Sequence, residues 1–141
     1  MPLKIGRGDV DHIHEHAKES YPEECAGAMV GMSLDGMKMK IVVDVWRAEN
    51  THEEERSRRF LIEPLKIKEF EERAAERDMD VLGFYHSHPD HPAEPSEYDR
   101  EHAWPVYSYV IASVGENGVE DLRSWVLKDD RSGYEEELIV S

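Results

Sequence analysis

Apolar residues recur near the start of the chain at the spacing of a helix. Val10, Ile13 and Ala17 fall on one side of a 3.6-residue turn, which predicts a helix starting at Gly8 or Asp9 and ending near Ser20, ahead of Pro22. Cys25 to Met32 and Met37 to Trp46 read as strands, joined across the turn signal Leu34-Asp35-Gly36. Arg47 to Ser57 is polar and charged, and reads as a surface loop. Arg59 to Glu63 predicts a short strand. Pro64 suits the first turn of a helix with Leu65, Ile67, Phe70 and Ala74 on its apolar side, running to about Arg77. Val81 to His88 is an apolar run of the kind that forms a buried strand. Pro89, Pro92 and Pro95 hold the next segment in a loop, and Ser96 to Ala103 reads as a short helix. Val106 to Val114 and Val119 to Leu127 predict strands around the turn Glu116-Asn117-Gly118, with an edge strand from Tyr134 to Val140. The order α, β, β, β, α, β, α, β, β, β has no repeating βαβ rhythm. The expected fold class is α+β, a curved mixed β-sheet flanked by helices in a single domain over residues 1–141.

Composition narrows the setting. Hydrophobic residues are 39% of the chain, enough for a core. No apolar run approaches the roughly 20 residues of a membrane-spanning helix, and Met1 to Val10 lacks the apolar stretch of a secretory signal. The expectation is a cytoplasmic protein with no membrane partner. Cys25 is the only cysteine, which rules out an internal disulfide and a cysteine-rich metal site. Acidic residues number 32 and basic ones 17, a formal charge of −15. That argues against binding to a phosphate backbone, so no nucleic acid is expected as partner. The charge reads either as a solvated acidic surface, including adaptation to a salty cytosol, or as steering of a basic partner.

The chemistry concentrates between residues 86 and 99. In a strand, residues i and i+2 point to one face, so His86 and His88 project side by side. Two imidazoles on one face and the nearby carboxylate of Asp99 make a three-ligand set for a cation such as zinc. Ser96 reads as an N-cap with Asp99 at the third helical position, and the helix dipole favours the ionised carboxylate that a metal requires. Ser96 is also close enough in sequence to donate a hydrogen bond to an oxyanion formed at the metal. Two histidines and a carboxylate leave a fourth tetrahedral position for water. Hydrolysis of an amide then needs a general base, and spacing alone leaves Glu24, Glu94 and Glu97 open.

His86-x-His88-Pro89 followed by Ser96-x-x-Asp99 resembles the motif of the JAMM (MPN-plus) metalloprotease family. Pro22-Glu23-Glu24-Cys25-Ala26-Gly27 resembles the same family's Glu-x-x-Gly segment, with Glu24 three before Gly27. Phe60-Leu61-Ile62-Glu63-Pro64 and His102-Ala103-Trp104-Pro105 are similar to its small prokaryotic branch. The resemblance implies the JAMM (cytidine-deaminase-like) fold, with His86, His88 and Asp99 as zinc ligands. It implies that Glu24 holds and deprotonates the zinc-bound water and that Ser96 stabilises the oxyanion. The activity it implies is a zinc-dependent peptidase or isopeptidase acting at the C-terminal Gly-Gly tail of a ubiquitin-like or sulfur-carrier protein. No β-grasp domain is fused to this sequence, so the carrier is expected to act in trans. An extended tail entering as an added strand suits that substrate class.

Three other signals compete. His12-x-x-Glu15-His16 matches the inverted zincin pattern, but reads more simply as surface histidines on a solvated helix. Cys25 lies in an apolar stretch, where a small buried thiol is the ordinary outcome. Trp104, Tyr107 and Tyr109 read as core or sheet residues. The alternative function class is a non-catalytic MPN scaffold, a protein-interaction module of the same fold without the ligands.

Overall fold

The computed structural model describes residues 2–34, 39–48 and 62–141. Eight strands among them form one mixed sheet: β1 (Leu3–Ile5), β2 (Ala26–Leu34), β3 (Met39–Ala48), β4 (Asp80–Pro89), β5 (Ser108–Gly115), β6 (Gly118–Leu127), β7 (Tyr134–Glu137) and β8 (Ile139–Val140). Their spatial order is β7-β6-β5-β4-β2-β3-β1-β8. Three helices accompany them: α1 (Arg7–Ser20), α2 (Pro64–Ala75) and α3 (Glu97–His102). The expected α+β class with a curved mixed sheet is what the chain forms.

Both faces of the central strands are covered, which is why β2 reads as an unbroken apolar run rather than an alternation. Ile13 and Ala17 of α1 pack with Met29, Leu82, Tyr85 and Val110 on one face. Phe70 and Ala74 of α2 pack with Ala26, Ala28, Val30, Trp46 and Phe84 on the other. Pro64 stands at the first position of α2, and the Arg73 guanidinium lies 3.9 Å from the centre of the Trp46 ring. Gly27 and Gly83 are required where they stand. A Cβ at residue 27 would lie 2.3 Å from the Tyr85 ring and 2.4 Å from the Trp46 carbonyl oxygen, and one at residue 83 would lie 1.9 Å from the Ser108 carbonyl oxygen.

Several boundaries differ from the sequence expectation. β1 was not anticipated: three residues are too few to show a period, although Leu3 and Ile5 are fully buried. The expected segment Tyr134 to Val140 is two strands. β7 pairs with β6, whereas β8 pairs with β1 at the opposite end of the sheet. Exposed Leu138 separates them, and its carbonyl accepts the Leu3 N–H at 2.9 Å. The two ends of the sheet order are therefore contributed by adjacent stretches of chain, so the sheet curls until its edges face each other. Lys40 on β3 spans the curl, donating from Nζ to Ser108 Oγ on β5 at 2.8 Å, although β2 and β4 separate those strands.

Arg47 and Ala48, expected in a loop, finish β3, and the rest of that loop lies outside the described residues. The expected strand Arg59 to Glu63 falls partly outside them as well; Ile62 and Glu63 are not in a strand, and Glu63 stands at the N-cap position of α2. Asp35 and Gly36 of the expected turn are also outside them. The strand expected from Val106 begins at Ser108, with Val106 exposed.

Candidate metal centre

β4 runs into the site as an internal strand, antiparallel to β2 on one side and parallel to β5 on the other. His86 and His88 sit near its C-terminal end, where strands give way to loops. Their Nε2 atoms are 3.1 Å apart, and Asp99 Oδ2 lies 3.3 Å from the first and 3.2 Å from the second. All three side chains are largely shielded, between 10% and 15% exposed. The triangle they make is nearly equilateral. A tetrahedral ion with ligands at about 2.0 Å has edges of about 3.3 Å, so the three atoms occupy the positions of three ligands around one cation. Among the described residues, this is the one cluster of histidine, cysteine and carboxylate groups that converges in this way.

The surroundings prepare two of the ligands, His88 and Asp99. His88 Nδ1 is 3.0 Å from the carbonyl oxygen of Pro92, which can only accept. Nδ1 therefore donates to that carbonyl, which fixes the orientation of the ring and turns Nε2 towards the triangle. The loop supplying that carbonyl is pinned by Ser113 Oγ, which donates to His91 O at 2.6 Å, and by Trp125 Nε1, which donates to Ala93 O at 2.9 Å. Ser96 and Asp99 form a reciprocal capping box at the start of α3: Asp99 N–H donates to Ser96 Oγ at 3.0 Å, and Ser96 N–H donates to Asp99 Oδ2 at 2.9 Å. Burial pushes the Asp99 carboxyl up, but the charge of His86 and hydrogen bonds from His86, His88 and the Ser96 N–H outweigh it, holding the group well below the usual carboxylate range. Because Ser96 Oγ accepts from Asp99, its own proton is left to donate elsewhere.

Glu24 reaches the same place from a distant part of the chain. Ala26 pairs with His86, and the Ser87 N–H donates to Cys25 O at 3.0 Å, so the antiparallel register sets Glu24 alongside His88. Buried Ser87 Oγ accepts the Cys25 N–H at 2.9 Å and doubles the tie. Glu24 is buried and lines one cavity with His88, Glu94 and Ser96. Glu97, by contrast, is exposed and paired with Arg100. Of the three candidate bases, Glu24 and Glu94 share a cavity with His88.

The competing signals resolve differently from one another. His16 is buried rather than on the surface, because its Nδ1 meets the Tyr85 hydroxyl at 2.7 Å, whereas His12 and Glu15 are exposed. Burial pushes the Cys25 thiol up to about 11, the opposite of an activated nucleophile. Trp104, expected in the core, is 58% exposed, since it lies in the turn between α3 and β5, where its backbone N–H donates to the Tyr109 hydroxyl at 2.8 Å. With Tyr98, Tyr109 and Tyr134 it instead lines a second cavity, whose wall includes His86 and Asp99. The sequence reading missed this convergence, for which the only signal was the density of aromatics from Tyr98 to Tyr109.

A curved mixed sheet presenting a His-x-His strand to a capped aspartate defines a protein of the JAB/MPN fold. A crystal structure of a JAB1/MPN domain protein from Archaeoglobus fulgidus shares that fold over 100% of both chains, with a TM-score of 0.58 and 20% identity. Solution structures of proteins from Desulfitobacterium hafniense and Salinibacter ruber are also similar. The first matches with a TM-score of 0.83 and 27% identity over 99% of this chain and 92% of that one; the second has a TM-score of 0.75 and 37% identity over 99% and 90%. The family of prokaryotic homologs of the JAB domain matches residues 7–128, and the chain belongs to it. A desampylase from Haloferax volcanii is 32% identical over 112 residues, covering 79% of this chain and 80% of the relative. These likenesses support a hydrolase of the JAB family.

Proposed function

We propose that residues 1–141 act as one zinc-dependent peptidase or isopeptidase domain. It would hydrolyse the amide bond at the C-terminal Gly-Gly tail of a ubiquitin-like or sulfur-carrier protein supplied in trans. The observation that carries this reading is the near-equilateral triangle of His86, His88 and Asp99 with Glu24 and Ser96 in the adjoining cavity. A non-catalytic scaffold has no use for three ligand atoms at tetrahedral spacing. The similarity to a desampylase supports the substrate class.

His86, His88 and Asp99 hold the ion. Zinc bound there supplies a Lewis acid that polarises a carbonyl and lowers the pKa of water towards about 7. Glu24 takes a proton from the attacking water and delivers it to the departing nitrogen, so the amine leaves neutral. Ser96 Oγ donates its hydrogen to the oxygen that gains charge as the carbonyl becomes tetrahedral.

β4 is already paired on both sides, so an extended tail cannot add to the ligand strand itself. The decisive experiment incubates the protein with Gly-Gly-extended carrier fusions and weighs the products by mass spectrometry. Glu24→Gln is expected to keep zinc and lose turnover by about a hundredfold or more. His88→Ala is expected to lose both zinc and turnover. Wild-type turnover in Glu24→Gln would sink the mechanism.

A further inference from the structure

The chemistry above leaves the second cavity unused. His86 and Asp99 form one of its walls, and Phe84, Tyr98, Trp104 and Tyr109 much of the rest. The triad is therefore a partition. Glu24, His88 and Ser96 face a cavity that also carries the Glu94 carboxylate, while His86 and Asp99 face an aromatic one, and Pro95 lines both. A substrate that presents its carbonyl at this partition has part of its chain on either side.

The character of the two cavities sorts those parts. Glu24 delivers the proton to the leaving nitrogen, so the amine departs through the cavity that Glu24 lines, where the carboxylates of Glu24 and Glu94 suit an amine that becomes ammonium in water. The acyl chain then runs across His86 and Asp99 into the aromatic cavity. Two glycines carry no side chain to fill it, so the residues before them must. Ring faces offer apolar contact. The Tyr109 hydroxyl already accepts the Trp104 N–H, and His102 Nδ1 is engaged by the Tyr98 carbonyl at 2.9 Å. A charged side chain entering would give up its water for contact with ring faces.

We infer that the aromatic cavity is a subsite for a bulky apolar side chain, aliphatic or aromatic, from one of the two residues preceding the Gly-Gly terminus. The direction of the chain rests on the hydrolase reading. Trp104 is the specificity-determining residue, because it is exposed enough to be reshaped by occupancy and contributes the largest ring.

The test is calorimetry on the zinc-loaded full chain with tetrapeptide acids. Ala-Phe-Gly-Gly and Phe-Ala-Gly-Gly are compared with Ala-Ala-Gly-Gly, Ala-Asp-Gly-Gly and Ala-Lys-Gly-Gly. One phenylalanine peptide is expected to bind at least about tenfold tighter than the alanine peptide, the usual scale for an apolar pocket. Trp104→Ala is expected to flatten that preference and Trp104→Phe to keep most of it, with thermal melts showing both variants folded. No measurable binding, affinities within about threefold, preference for Asp or Lys, or a preference that survives Trp104→Ala would each overturn the subsite. Amide-linked versions of the same peptides separate the two readings. Turnover without preference removes the subsite alone, whereas a binding preference without any turnover removes the hydrolase and leaves the cavity.

Discussion

Single atoms decide whether this site can assemble. The missing Cβ of Gly27 lets the Tyr85 ring and the Trp46 carbonyl occupy its place, and Tyr85 directly precedes His86. Gly27→Ala is expected to destabilise the chain by about 1–3 kcal/mol or more, since one of the obstructing atoms is backbone. Urea unfolding checks this, and an unchanged midpoint would show that the sheet has room to yield. His16 governs a different property. Burial, with help from the charge of Arg47 and against that of Glu19, pushes its imidazole down to about 4 from an ordinary value near 6.5. Between those values the unfolded chain binds a proton that the folded one refuses. Stability from this residue is intact above pH 6.5 and falls as pH drops towards 4. Urea midpoints measured at pH 7 and pH 5 should differ less in His16→Gln than in the wild type. An equal difference in both proteins would remove His16 from the account.

At the scale of elements, the pairing of β2 with β4 unites residues some sixty positions apart, and α2 seals the opposite face of those strands. Phe70→Ala takes the main ring out of that seal and is expected to cost about 3–5 kcal/mol, read by chemical denaturation. A loss below about 1 kcal/mol would mean that α2 is not structurally required. The same elements explain what could be read from the sequence. His86, His88, Ser96 and Asp99 lie within one strand, loop and helix start, so local periodicity and capping already bring them close. Glu24 could not be selected over Glu94 and Glu97 by spacing, because its place depends on a register between distant strands; only the family resemblance pointed to it. The aromatic cavity went unread for the same reason: Phe84, Tyr98, Trp104 and Tyr134 come from separate elements. β1 escaped because three residues carry no period, and the final strand was read as one because the break at Leu138 is a change of neighbour, not of hydropathy.

At the scale of the molecule, a charge of −15 surrounds a site whose cavity already contains Glu24 and Glu94. If that charge steers a basic partner, the association rate should fall steeply with added salt, and a salt-independent rate would leave the acidity as surface chemistry only. The curl of the sheet has a consequence of another kind. An open sheet exposes two rows of unpaired N–H and C=O groups, each a template for a foreign strand. Here a run of seven residues, Tyr134 to Val140, occupies both at once, β7 along β6 and β8 along β1. Deleting residues 134–141 would exchange the four-residue edge of β7 for the ten-residue edge of β6 and bare β1, giving each molecule longer open ends and thereby the means to polymerise. Light scattering at rising concentration should then report assemblies that grow without a fixed size. A deletion that stays monomeric would show that twist alone protects the edges. On this view residues 134–140 guard solubility, a duty distinct from anything at the candidate metal centre.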